Sequence, residues 1–208
     1  MHKFTDIRMA VISLAILVSV SCTEKLERDW KQFEPYTEHF NLTEIDADGN
    51  EYLEVSAVKS ISKSDVEKYV IGNGWKSVAV YELDRNKDVA GVWELKDDLP
   101  LINEQTLHDC FEVKGFGENQ LIQYGLLDGR YEDLDFAYDE NDNSISLDAC
   151  WFVAHNGKLV FLSDDVMVCV DGKEWVAEGR NPYVFMVVFE KVSKSTLRDW
   201  RRQCPNPR

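Results

Sequence analysis

A chain of 208 residues, 44% hydrophobic and 12% aromatic, is long enough to bury one full core. Its 38 acidic against 23 basic side chains give a formal net charge of −15, which excludes electrostatic capture of nucleic acid or of an anionic lipid surface, since both need clustered cations. The notable basic cluster is Arg198, Arg201 and Arg202, and the acidic balance reads first as solubility.

Residues 1–21 carry Lys3 and Arg8 and then an uncharged run from Met9 to Val20. That run has the length of a secretory signal and is short for a membrane span. With Val18, Ser19, Val20 and Ser21 leading into Cys22, the segment resembles a bacterial lipoprotein signal. The resemblance implies cleavage before Cys22, acylation of its thiol and attachment to the cell envelope through that anchor, at the outer membrane on its periplasmic or surface face; an ordinary cleaved signal is the plainer alternative. The expected organisation is a signal peptide over 1–21, a lipid tether and N-terminal segment over 22–50, and a single antiparallel β domain over 51–208.

Residues 23–50 are polar and acidic, with Leu26, Trp30 and Phe33 at helical spacing before Pro35. Trp30, Phe33, Tyr36 and Phe40 are many aromatics for a tether, and favour a docked segment from about residue 30. Glu44, Asp46, Asp48 and Gly49 match the opening of a calcium loop, but Val55 stands where that loop needs a bidentate carboxylate. An Asp–Gly turn into a strand over Glu51–Val55 is the better reading.

Ser64 and Glu67 form a capping-box pattern, predicting a helix over Asp65–Ile71 with Val66, Tyr69 and Val70 inward and Gly72 as its left-handed stop. Strands follow over Trp75–Asp84, Val89–Lys96, His108–Lys114 and Gln120–Leu127, with a loop at 97–106. From Tyr131 the pattern is a meander. Leu134, Phe136 and Tyr138 alternate with polar residues, the Asp- and Asn-rich 139–143 stretch is turn chemistry, and Ile145, Leu147, Ala149, Trp151 and Val153 share one face of a strand over Ser144–Val153. Asn156–Gly157 predicts a tight turn, Leu159–Leu162 and Val166–Val170 continue the meander, and residues 171–173 turn the chain again. The last strand, Tyr183–Val192, is apolar on both faces through Phe189 and belongs at the centre of a sheet or at a barrel closure. A capped helix over Leu197–Arg202, with Thr196 and Asp199 as its box and Pro205 as its stop, ends the chain.

Nine or ten mostly antiparallel strands with a short helix early and another late make the fold class mostly β, an antiparallel β-barrel or a two-sheet sandwich. The leader, the Ile71–Val78 segment after its short helix, the Tyr138–Ile145 hairpin and the Val184–Val192 strand together resemble the lipocalin-like lipoproteins of Bacteroidetes. The resemblance implies a lipocalin-like barrel. It carries over no binding residue, because Gly74 directly precedes Trp75 and breaks the Gly-x-Trp signature.

Cys110, Cys150, Cys169 and Cys204 allow three pairings or four thiols. In the meander Cys150 and Cys169 lie two strands apart, about 9.5 Å, beyond disulfide reach; Cys110 with Cys150 or Cys204, or free buried thiols, stay open. His108 and Cys110 share a strand face as a nucleophile and base would, yet no oxyanion-forming turn accompanies them. His39 and His155 add no metal spacing, and no phosphate loop or dinucleotide fingerprint implies a cofactor. No enzyme is expected. Trp75, Trp93, Trp151 and Trp175 read as core before platform. Two functions remain: a lipid-anchored module binding a small apolar or amphipathic ligand, and a structural lipoprotein with a filled core that contacts another envelope protein. A retained apolar cavity would separate them.

Overall fold

The computed structural model describes residues 30–47, 50–93, 95–96, 106–153, 157–171 and 182–208. The leader, Cys22, Asp48, Gly49, the 97–105 loop, His155, Asn156, the turn at 172–173 and Trp175 lie outside these residues. The chain forms two compact units, Met1–Thr37 and Glu38–Arg208. Residues 30–33 are helical and continue into a 3-10 helix, Glu34–His39, across whose last turn the boundary falls.

The second unit is mostly β. Its elements are β1 (Phe40–Ala47), β2 (Asn50–Ala57), α1 (Lys63–Tyr69), β3 (Gly74–Leu83), β4 (Val89–Trp93), β5 (Leu95–Lys96), β6 (Thr106–Leu107), β7 (Cys110–Val113), β8 (Gly117–Gly125) and β9 (Arg130–Asp139). They continue with β10 (Ser144–Leu147), β11 (Gly157–Leu162), β12 (Val166–Asp171), β13 (Val184–Lys191), α2 (Lys194–Gln203) and β14 (Asn206–Pro207). The predicted meander is present, since β9 to β13 pair in sequence, all antiparallel. β13 then pairs with β3, β3 with β7, β7 with β8 and β8 with β9. The pairings therefore return to their start as a barrel-like ring, and β13 is the strand that joins its early and late halves. Two strands divide an edge between neighbours. β3 pairs β7 over Gly74–Lys76 and β4 over Val80–Leu83, and β9 pairs β10 over Phe136–Asp139 and β14 over Arg130–Tyr131.

Period-two alternation fills the ring. Trp75, Phe111, Val113, Leu121, Phe136, Ile145, Leu147, Leu159, Met167 and Phe189 are fully buried in one cluster, each contributing about 1.5–3 kcal/mol of burial. The end at which β3 begins is closed by α1, whose Val66 and Val70 join that cluster. Gly72 leaves the helix at φ +77°, and its N–H donates to the Val113 carbonyl at 2.7 Å. The segment before α1 is latched by Asn143: its Nδ2 donates to the carbonyls of Lys59 (2.8 Å) and Leu159 (3.0 Å), and its Oδ1 accepts from the Ile61 N–H (3.2 Å). The Tyr138 hydroxyl donates to the Ile61 carbonyl at 2.6 Å.

Outside the ring, α2 lays Leu197 and Trp200 on Cys110, Tyr124 and Cys204. Gly74 lets it approach, since a Cβ there would stand 2.9 Å from Val192 and 3.0 Å from Leu197. Buried Glu112 pins the helix, accepting from the Tyr124 hydroxyl at 2.9 Å and from two nitrogens of Arg201.

The fold departs from the sequence expectation in five places. The strand predicted over Ser144–Val153 stops at Leu147; the Cys150 N–H turns back to the Leu147 carbonyl (2.9 Å), and Trp151–Val153 is a 3-10 turn. The early helix is capped by Ser62 with Asp65, two residues ahead of the predicted box, and the late helix by Ser193. Phe40–Ala47, read as part of the N-terminal segment with no strand assigned, is a strand paired along its length with β2. His108 and Asp109 precede β7 instead of lying in it.

Candidate functional site

The ring end away from α1, where β3 ends and β13 begins, is walled by aromatic rings. Register puts Trp93 opposite Val80, and Val80 faces the core, so Trp93 faces the same way. The tight turn after β10 supplies two more rings. In a 3-10 turn residues three apart eclipse, so Cys150 and Val153 point inward together while Trp151 between them is turned out. Phe152 and Phe185 form a buried floor. Trp93 meets Phe152 at 5.3 Å and Phe185 at 6.3 Å between ring centroids, both edge to face, and Trp151 meets Trp93 at 6.4 Å. Tyr183 closes on Phe185 at 5.4 Å. Such offset pairs hold a rigid surface, and here its upper face is open: Trp151 is 56% exposed. The Trp93 indole N–H donates to Glu82 Oε1 at 2.9 Å, which fixes the plane of that ring.

Of the predicted core tryptophans, Trp75 is core. Trp93 packs, partly buried, against that core while its ring also contributes to this rim, and Trp151 is exposed on the rim instead. The alternation that placed Trp151 inside ended with β10, and nothing in the local sequence except the Asp148–Ala149 pair marks where.

His108, Asp109 and Cys110 lie beside the same end, in the step between β3 and β7. Ser77 stitches this step, donating its N–H to the Asp109 carbonyl (2.9 Å) and accepting the Asp109 N–H on its hydroxyl (2.7 Å). His108 Nδ1 bonds the Ser77 carbonyl; a carbonyl only accepts, so Nδ1 carries the proton. A cleft of about 340 Å³ opens here, lined by His108, Cys110, Tyr124, Leu127 and Arg208 among others. Its guanidinium is engaged by Asp128 (3.2 Å) and Glu132 (3.4 Å), and Cys110 packs in the apolar cluster under α2. The predicted His108 and Cys110 are thus neighbours along one cleft wall.

Asp109, half-buried between them, also lines the cleft, and its carboxyl lies within hydrogen-bonding reach of the Cys150 thiol. Burial raises this carboxyl to about 7, with the thiol bond opposing. Burial likewise pushes the Cys150, Cys169 and Cys204 thiols up. All four described cysteines are buried thiols, and none forms a disulfide. Glu44 and Asp46 of the discounted calcium loop lie along β1, with Glu44 2.9 Å from Arg85, and Val55 is buried in β2. Among the described residues no group of His, Cys, Asp and Glu has metal-binding geometry, and no helix is long and apolar enough to cross a membrane.

Compared with protein-family models, with curated proteins and with solved structures, the chain matches none.

Proposed function

We propose that this protein is a lipid-anchored envelope lipoprotein, attached through Cys22, that binds a small apolar or amphipathic ligand at the aromatic end of its ring. The observation that carries the reading is the five-ring cluster of Trp93, Trp151, Phe152, Tyr183 and Phe185, rigid below and open above. Concave apolar surfaces with a few placed polar groups are where small ligands bind. The ligand sits at the mouth, because the ring behind it is occupied by Trp75, Phe111, Phe136 and Phe189.

That packed interior also favours a second reading, in which the protein has a filled core and meets another envelope protein. Native mass spectrometry of the full chain extracted from its own membranes tests both. The expected result is a diacylglyceryl-type addition at Cys22 and a noncovalent adduct of a few hundred daltons that Trp151→Ala loses. A chain without the adduct overturns the ligand reading in favour of the second, and a chain without the covalent addition overturns the anchor.

A further inference from the structure

Resting on that reading, we propose that the ligand is an organic cation: an amphiphile whose ammonium-type head seats against the aromatic rings and whose apolar part lies over them. Three observations converge on a positive charge. The first is a row across three strands, in which Phe185 of β13 stands directly opposite Glu82 of β3 and Asp171 of β12. Directly paired residues share a face of the sheet. Phe185 belongs to the core, so both carboxylates face inward on either side of it. They are 9% and 7% exposed, in surroundings where charge is felt strongly.

The second is the placement of the Glu82 carboxylate. One oxygen accepts from the Trp93 indole. The other lies over Gly91, where an added Cβ would come within 2.6 Å of it. The absent side chain at Gly91 is therefore what lets the carboxylate lie flat beside the Trp93 ring. Both carboxylates also have partners within the fold, so the head does not cap a vacant acid but lies against the rings in front of an acidic row.

The third is the rings themselves. A cation over a tryptophan or tyrosine face is attracted by the ring quadrupole, and the mouth presents Trp93, Trp151 and Tyr183. The net charge of −15 adds long-range attraction for cations. An anionic head would meet two buried carboxylates of its own sign, and a neutral head would gain nothing from them.

The test is tryptophan-fluorescence titration of the full chain with three detergents of equal tail and different head, below their micellar concentrations: dodecyltrimethylammonium, dodecyl maltoside and dodecyl sulfate. The ammonium is expected to bind at least about tenfold tighter than the maltoside, with the sulfate weakest. In Glu82→Gln, which keeps the acceptor for Trp93, the ammonium-to-maltoside ratio should fall towards one. Gly91→Ala, which displaces the carboxylate without removing it, should lower the ratio too, as should Asp171→Asn if Glu82→Gln does not fold by near-ultraviolet circular dichroism. Equal binding of ammonium and maltoside overturns the cation while leaving the aromatic site standing. Binding of none of the three overturns both.

Discussion

Asn143→Ala is expected to lower the free energy of unfolding by about 3–4 kcal/mol. Its amide is buried, and deletion strips partners from the Lys59 and Leu159 carbonyls and the Ile61 N–H at once. It also sits at φ +58°, a conformation that asparagine tolerates and alanine reaches at a cost of about 1 kcal/mol. Asn143→Gly relieves the backbone but not the lost bonds, so it should fall roughly 1 kcal/mol short of the alanine loss. Urea denaturation at neutral pH reads both. A loss under about 1 kcal/mol in the alanine variant would mean that the segment before α1 is not held by this side chain.

Asp109→Asn should do the opposite, and only on the alkaline side. The Asp109 carboxyl is raised from 3.8 to about 7 by burial, so between those values the folded protein holds a proton that the unfolded chain releases. Stability therefore declines as pH rises through that window, and the penalty is complete above about 7. Its ceiling is about 4 kcal/mol. Asparagine cannot ionise but must still place an N–H₂ beside the Cys150 sulfur, so the net gain at pH 8.5 should be on the order of 2 kcal/mol. At pH 3.5 the carboxyl is neutral and only the cost of the amide is left, so the variant should there be the less stable by about 2 kcal/mol and the two curves should cross. Equal offsets at the two pH values would place the Asp109 charge outside the folding equilibrium.

The same two residues show how far the chain can be read without coordinates. The meander from β9 to β13 was legible because its alternation and its Asn, Asp and Gly turns are local signals, and β13 was legible as an interior strand because both its faces are apolar. Asn143 looked like turn chemistry and is a turn residue, but its latch reaches more than eighty positions back. Closure of the ring is equally remote, since it depends on β3 meeting β13. β1 was hidden by its acids: Glu44 and Asp46 are exposed on the strand face that begins with buried Phe40 and half-buried Leu42, and so break the alternation.

At the candidate site the tryptophans were found and their role was not. Trp93 and Trp151 come from turns and strands almost sixty residues apart, and whether an aromatic is floor or rim depends on where its strand ends. The β10 strand ends four residues before Trp151. Asp109 was seen only as the residue between His108 and Cys110. The approach of its carboxyl to Cys150 needed the fold.

The ring interior is closed by its own side chains, and the proposed ligand is therefore confined to the aromatic mouth. Amide chemical-shift mapping during titration with dodecyltrimethylammonium tests it most directly. Shifts confined to Gly91–Trp93, Trp151–Val153, Asp171 and Tyr183–Phe185 are the predicted result. Shifts that run down the interior to Phe136, Val113 and Val66 at the α1 end would contradict it, because the ligand would then occupy the space that the packed core fills.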